Sequence, residues 1–313
     1  MPARHRARIF AAPNAIQTPH RKHREKGRGM SSTSRVGISS LFACALLFGS
    51  TAVTPDISQA QPGPGGATVL TLAPAFNELK SNWLRGELFA APNVKVKVPY
   101  TNIPSATNTH KGADKLNEML HAYPGPKIVA GHSQGAQVAD DWLRRYGPTS
   151  DIDPATVQFV LTGDLESKYN GCANVPGSGC VAAYGGNNFP DDTPYTVKVI
   201  ARQYDYFADC PNDLSNETAK KNRNASQVVG GKGELNSVHT NYSNIGLNDP
   251  GNKTFVEGNA TYILGAPATY FLPVVTQKWT SNESKVVEDA ELRPIVESAY
   301  NRPMGAPPAP PAP

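Results

Sequence analysis

From about residue 67 onward, the apolar residues of this chain follow strand-like and helix-like periods in turn. In NVKVKVPY, Val94, Val96 and Val98 alternate with other residues, which indicates a strand with one buried face. Short apolar runs predict four further strands, in ATVLTLAPAF, KIVA (127–130), VQFVLTGD (157–164) and TVKVIARQYD (196–205).

Two segments between these strands have the period of amphipathic helices. The first covers about residues 110–123 and is stopped by the sequence PGP that follows it. The second covers residues 136–146, carries apolar residues along one side, has two arginines in its last turn and ends at Gly147. Strands that alternate with helices predict one α/β domain: a mostly parallel sheet with helices on both faces.

The region before residue 67 differs in composition from the rest. Residues 1–29 carry eight Lys or Arg against a single acid. From Met30 a basic segment, an apolar run and a polar segment ending in Ser-Gln-Ala follow in the order of a secretory signal, so we expect cleavage after Ala60 and a secreted or envelope-associated protein. The predicted organisation is a basic extension (1–29), a signal peptide (30–60), a linker (61–66), the α/β domain (67–303) and a disordered Pro-rich tail (304–313).

Charge and cysteine content narrow the function classes. The basic residues of 1–29 account for more than the whole net charge of +4, so the folded part is mildly acidic and a nucleic-acid partner is disfavoured. No His/Cys cluster has metal-ligand spacing, and no G-x-G-x-x-G or Walker loop occurs, so we expect no metal and no cofactor. Cys172 and Cys180 bracket a short loop and are predicted to form a local disulfide in an oxidising compartment, which leaves Cys210 over.

The segment KIVAGHSQGA contains a G-x-S-x-G motif centred on Ser133. The motif alone is weak, but a predicted strand precedes it and a predicted helix follows it, as in a nucleophile elbow. A serine on such a strained turn needs small neighbours where strand and helix crowd each other, and Gly131 and Gly135 provide them. The alternative is a plain strand-to-helix turn.

An elbow of this kind also predicts an oxyanion hole. The backbone N–H of Gln134 is aimed at the position where negative charge develops on a tetrahedral intermediate. The second donor is expected in the loop after the first strand, between residues 73 and 76. Because Pro74 has no N–H, the candidates are Ala75 and Phe76.

An activated serine requires a histidine as general base, and in this architecture it follows the nucleophile. The predicted mature chain has four histidines, of which His110 and His121 precede Ser133, and His132 lies inside the elbow with its side chain directed away from the serine. Elimination therefore leaves His239, in SVHTNYSN, as the base.

The acid that orients this histidine is predicted in ARQYDYFADCP, where two aspartates are available. Asp205 directly follows the predicted strand, and the carboxyl end of a strand is where such an acid belongs. Asp209 lies four residues deeper in the loop and is the alternative acid.

Taken together, these motifs resemble the PE-PPE-domain serine hydrolases of mycobacteria, a cutinase-like branch of the α/β-hydrolases. The likeness covers most of residues 67–303 and rests on KIVAGHSQGA, FVLTGDLE, ARQYDYFADCP with VHTNY, and LRPIVESAYNRP. It implies a triad of Ser133, Asp205 and His239 and action on acyl esters, and some members look to be acyltransferases that build trehalose-based envelope lipids. The chain departs from the family where LAPAFN replaces a glycine- and threonine-rich turn.

Three functional hypotheses follow. The favoured one is a secreted serine hydrolase that cleaves lipid or small acyl esters through an acyl-serine intermediate. The second uses the same triad to move the acyl group to a sugar or lipid hydroxyl in the cell envelope, which depends on how well the site excludes water. The third is a non-catalytic module that keeps the fold and associates peripherally with the envelope.

Overall fold

A computed structural model describes residues 65–180, 189–228, 238–266 and 269–306. At its centre is a seven-stranded sheet with the order β2-β1-β3-β4-β5-β7-β6. Its strands are β1 (Thr68–Leu72), β2 (Val94–Lys97), β3 (Lys127–His132), β4 (Val157–Thr162), β5 (Thr196–Arg202), β6 (Lys253–Glu257) and β7 (Ala260–Gly265). All neighbouring strands are parallel except β6, which pairs antiparallel with β7 through a hairpin at the sheet edge.

Within the described ranges, five α-helices accompany the sheet: α1 (Ala106–Ala122), α2 (Gln134–Arg145), α3 (Glu217–Ala225), α4 (Pro273–Thr276) and α5 (Asn282–Glu297). Helix α1 begins four residues before the predicted start at residue 110. The side chain of Ser105 caps it by accepting the N–H of Asn108 at 3.1 Å, and the polar first turn has no apolar period that could announce it. Helix α2 begins directly after Ser133.

The two faces of the sheet are covered differently. Helices α1 and α2 cover one face, where Leu116 and Trp142 pack in one buried cluster with Val129 and Phe159. On the opposite face, the buried residues of β1, β3 and β4 pack against the segment Trp83–Phe89, two 3-10 turns joined by a kink, and against the chain that follows His239. Both coverings meet the sheet near the carboxyl end of β3, so the elbow lies between them.

The predicted α/β class is confirmed: the chain forms a mostly parallel sheet accompanied by helices, and the five predicted strands correspond to β1 to β5. The β6–β7 hairpin was not predicted. Residues 1–64, with the predicted basic extension, signal peptide and most of the linker, lie outside the described residues, as do residues 307–313 of the predicted tail. Within the described ranges no helix is long and apolar enough to span a bilayer.

Candidate active site

Ser133 occupies the sharp turn between β3 and α2 with a φ of 53°, a left-handed conformation that costs a non-glycine residue free energy. Its N–H donates to the carbonyl oxygen of Thr162 at 3.0 Å. Its two glycine neighbours lie where chains nearly touch. A Cβ atom at Gly135 would be 2.2 Å from the carbonyl oxygen of Leu72, and one at Gly131 would be 2.7 Å from the carbonyl oxygen of residue 135. The turn therefore excludes any side chain at either glycine.

Asp205 and His239 are brought together at the carboxyl ends of the strands. The Nδ1 atom of His239 lies 2.9 Å from Oδ1 and 3.0 Å from Oδ2 of Asp205. The carboxylate also accepts the N–H groups of Phe207 and Ala208 on Oδ1, at 2.9 and 3.1 Å, and the hydroxyl of Tyr242 on Oδ2 at 2.6 Å. Every direction in which this buried carboxylate can accept a hydrogen bond is thus used.

These contacts set the charge of Asp205. Burial alone would raise its pKa, because it disfavours the charged form. The neighbouring His239 and the hydrogen bonds from His239, Tyr242 and the Phe207 N–H outweigh burial and hold the pKa of Asp205 below its ordinary value. The carboxylate is therefore anionic at neutral pH and can orient an imidazole through its Nδ1–H.

The other nitrogen of His239, Nε2, is not used by Asp205. Among the described residues, Nε2 is buried and has no hydrogen-bond partner. His239 and Ser133 line one cavity of about 330 Å³. Its remaining lining residues are Pro74, Ala75, Asn77, Glu78, Lys80, Trp83, His132, Phe207 and Thr240. Nε2 is thus the atom placed to exchange a proton with a group bound in that cavity.

Asp209 lies in a different network. The guanidinium of Arg302 donates to both of its oxygens, at 3.0 and 2.6 Å, and Asn170 donates to Oδ1 at 3.1 Å. Oδ2 accepts the N–H of Tyr204 at 2.7 Å, and Tyr204 has a left-handed φ of 64°. Asp209 therefore secures the strained turn from which Asp205 projects, and the structure brings Asp205 rather than Asp209 onto the histidine.

The loop after β1 supplies the wall opposite the elbow. Phe76, one of the two predicted second donors, gives its N–H to the carbonyl oxygen of Asn102 at 3.0 Å. The Asn102 side chain in turn donates to the carbonyl oxygen of Pro74 at 2.8 Å, so the loop is tied down from both sides. Ala75 lines the cavity, while Gln134 is the first residue of α2, where N–H groups have no partner within the helix.

His132 belongs to the site although sequence reasoning set it aside. It lines the cavity with its ring 4.7 Å from that of His239 and 4.4 Å from that of Trp83 (centroid distances), and its Nδ1 lies 3.0 Å from the carbonyl oxygen of Thr162. Burial lowers the pKa of His132 to about 3, so it is neutral and adds no charge beside His239. A Cβ atom at Gly163 would lie 2.5 Å from the ring of His132 and 2.8 Å from the ring of His239, so these two rings need a glycine at this position.

Two further aromatic residues complete the site and were missed by sequence analysis. Trp83 donates its Nε1–H to the Thr162 hydroxyl at 2.9 Å and stacks on Tyr242 at 5.4 Å. Tyr242 contacts Asp205 as described above. Trp83 lies in no recognisable motif, and Tyr242 is only the last residue of the VHTNY stretch. The partners of both residues are distant in the chain, so no local pattern indicates these contacts.

The cysteines lie outside this cavity's lining. The structure pairs Cys172 and Cys180 in a disulfide with their Cα atoms 5.7 Å apart. Cys210 is a free, buried thiol packed in the same small apolar cluster, and burial raises its pKa to about 12, which keeps it unreactive. In the part of the chain that the structure describes, no three His, Cys, Asp or Glu side chains are grouped to hold a metal ion.

Comparison with known proteins gives matches at the level of sequence and of structure. The PE-PPE domain profile matches residues 89–301. SL1278 acyltransferase Chp1 of Mycobacterium tuberculosis is 27% identical over 221 residues, which span 64% of this chain and only 51% of that protein.

Two solved structures are similar. A cutinase-like protein from Cryptococcus sp. is 18% identical, with a TM-score of 0.37, and the match covers 48% of this chain and 82% of that one. Lysin B from Mycobacteriophage D29 is 11% identical, with a TM-score of 0.33, and the match covers 77% of this chain and 92% of that one.

Proposed function

The chain belongs to the PE-PPE domain family, and on that premise we propose that it is a secreted serine hydrolase that cleaves carboxylic esters of lipids or small acyl compounds. The resemblance predicted from its motifs is confirmed by the family match. In the proposal Ser133 is the nucleophile, His239 the general base and Asp205 the acid that orients it. The N–H groups of Gln134 and Ala75 form the oxyanion hole, since the N–H of Phe76 is already bonded to Asn102.

The proposed reaction has two steps. The Ser133 Oγ attacks the ester carbonyl while Nε2 of His239 takes the hydroxyl proton, and the developing oxyanion is stabilised by the two backbone N–H groups. The proton then passes to the leaving alkoxide, which departs as an alcohol and leaves an acyl-serine. Water, deprotonated by the same nitrogen, attacks the acyl-serine, and the carboxylic acid is released with the serine restored.

One observation carries this proposal. The imidazole of His239 has Nδ1 on a buried, anionic carboxylate, and in the described part of the chain its Nε2 has no hydrogen-bond partner, while the ring lines the same cavity as Ser133. An imidazole held in this way has its proton on the carboxylate side and its lone pair toward the nucleophile. The Ser–His hydrogen bond is often loose in a free enzyme and tightens when substrate binds.

Acyl transfer is the second candidate. The cavity combines an apolar part, with Trp83 and Phe207, and a polar part, with Asn77, Glu78 and Lys80. The polar side chains suit a hydroxylated acceptor that would replace water in the second step. The relative named an acyltransferase supports the same chemistry, although the matched region covers about half of that protein. On this candidate the protein works at the cell envelope, where lipid acceptors are available.

Labelling with a fluorophosphonate probe tests the proposed nucleophile. The purified protein is expected to be labelled at one serine, and Ser133→Ala is expected to lose both labelling and hydrolysis of p-nitrophenyl esters, because the activated hydroxyl is gone. The matched control is Ser215→Ala, an exposed serine outside the cavity lining, which should be labelled like the native protein.

Absence of labelling in folded native protein would reject the enzyme and favour a non-catalytic envelope-binding module. If labelling holds, product analysis with an added polyol separates the two enzymatic candidates. Free acid as the main product supports the hydrolase, and a new ester supports the transferase.

A further inference from the structure

Tyr242 is fully buried beside the Asp205–His239 pair, and both functions of its hydroxyl are used. The hydroxyl donates its one proton to Oδ2 of Asp205 at 2.6 Å and accepts the backbone N–H of Arg202 at 3.1 Å. The acceptor bond fixes the direction of the donated proton. The Tyr242 hydroxyl therefore donates to a single atom, Oδ2 of Asp205.

Tyr242 is itself held in place by a segment that lies far before it in the chain. Its carbonyl oxygen accepts the N–H of Leu84 at 3.1 Å, and the adjacent Ser243 accepts the N–H of Arg85 at 3.2 Å. Its ring stacks on Trp83, 5.4 Å away. Leu84 and Arg85 adopt left-handed conformations, with φ of 48° and 55°, and such strain persists only where surrounding contacts impose it. The hydroxyl thus has little freedom to move.

We propose that Tyr242 is a positioning residue of this site, whose hydroxyl holds the Asp205 carboxylate in the orientation that keeps it on Nδ1 of His239. The proposal rests on the proposed function. The two carboxylate oxygens are secured unequally: Oδ1 has two backbone donors besides the histidine, whereas Oδ2 has the tyrosine hydroxyl besides the histidine. Without the hydroxyl, Oδ2 keeps only its contact with His239, the ring that the carboxylate itself is proposed to orient.

The hydroxyl also acts on the charge of the carboxylate. Tyr242 and His239 share Oδ2, and the hydrogen bond from Tyr242 is one of the contacts that lower the pKa of Asp205. The other titratable groups facing the pair are His132 from β3 and Arg202 from β5. The Arg202 guanidinium donates to the carbonyl oxygen of Asn241 at 2.7 Å. Removing the tyrosine hydroxyl also takes the acceptor from the Arg202 N–H, so the Tyr242→Phe variant loses that bond together with the one to Asp205.

Tyr242→Phe tests the proposal in steady-state hydrolysis of p-nitrophenyl butyrate between pH 5 and 9. We expect kcat to fall about tenfold, the size of a hydrogen bond to a charged group, with KM within about twofold. We expect the acid limb of the kcat/KM profile to move up by about half a pH unit, because the carboxylate regains charge toward the histidine. A merely structural tyrosine would leave that limb in place.

The matched control is Tyr262→Phe. Tyr262 is another buried tyrosine, on β7, whose hydroxyl has no hydrogen-bond partner among the described residues. Its variant should keep the native kcat and the native acid limb. A Tyr242→Phe enzyme that matched this control in both would overturn the proposal.

A second variant covers the case in which Tyr242→Phe does not fold. Replacing Tyr242 by 3-fluorotyrosine keeps the shape and strengthens the hydroxyl as a donor, so the acid limb should move down instead of up. An unchanged limb would overturn the proposal. Native protein that is neither labelled by fluorophosphonate nor active would reject the proposed function and this inference with it, whereas active native protein with indifferent Tyr242 variants would reject the inference alone.

Discussion

Two sets of fully buried carboxylates in the described residues have opposite charge states. Asp205 is anionic, with its pKa held below the ordinary value. Asp140 on α2 and Asp164 directly after β4 are equally buried, but burial and then neighbouring negative charge raise the pKa of Asp140 well above the ordinary value and that of Asp164 to about 7. Burial is the same in both places, so it cannot by itself decide the charge.

The hydrogen-bond donors around each carboxylate account for this difference in charge. Asp205 receives two backbone N–H groups, a tyrosine hydroxyl and an imidazole. In the described part of the chain, Oδ2 of Asp164 and both oxygens of Asp140 have no hydrogen-bond partner, and the neighbouring cation Arg144 pairs with Glu166. The negative charge of Asp164 and Glu166 adds to burial in raising the pKa of Asp140. A buried acid remains charged where donors surround it and becomes protonated where other acids do.

The largest expected effect comes from neutralising one acid of each group. Asp205→Asn should lower kcat roughly 10⁴-fold, because an amide favours the wrong tautomer of His239. Asp140→Asn should keep kcat within about threefold of native, because it replaces an already protonated carboxyl by a group of the same shape. Hydrolysis of p-nitrophenyl butyrate measures both. Equal losses in the two variants would show that the two groups do not differ as described.

The next-largest effect is a loss of unfolding free energy as the pH rises through neutrality. The pKa of Asp164 is raised from 3.8 to about 7, so the folded state keeps a proton that the unfolded state loses, and stability falls as pH rises through this window. Asp164→Asn removes this loss. From pH 5 to pH 8 the native protein should lose about 2 kcal/mol more unfolding free energy than the variant. Urea unfolding at both pH values measures it, and parallel losses would contradict the raised pKa.

The smallest effect has the opposite sign and involves His132. Burial lowers its pKa from 6.5 to about 3, so the folded state excludes a proton that the unfolded state binds, and stability falls as pH drops below 6.5. His132→Asn removes that titration and leaves an amide facing Thr162. Between pH 7 and 5.5 the native protein should lose about 1 kcal/mol more than the variant. A variant with the same acid-side slope would show that His132 is not the group that titrates.

The sheet illustrates how far a local pattern reaches. Strands β1, β3, β4 and β5 and helices α1 and α2 follow from apolar patterning, because each buries apolar residues that are close together in the chain. Strand β2 was predicted with one buried face, but it lies at the sheet edge, Val94 is 60% exposed, and of its three valines only Val98, directly after the strand, is fully buried. The segment Trp83–Phe89 could not be predicted in this way. Leu84 and Arg85 adopt left-handed backbone that their residue types disfavour, and only their bonds to the chain after His239 impose it.

The sequence by itself determined the turn at Ser133 and its two glycines, because they form one contiguous motif between a predictable strand and a predictable helix. It also narrowed the proposed acid to Asp205 or Asp209 and the proposed base to His239. The tertiary structure decided which aspartate contacts His239, and it added Tyr242, Trp83, His132 and Gly163 to the site. Those contacts join positions far apart along the chain, or depend on the direction in which a turn aims one side chain. Neither kind of contact produces a periodic pattern in the sequence. The charge states of the buried acids depend on such contacts, so the tertiary structure decides them too.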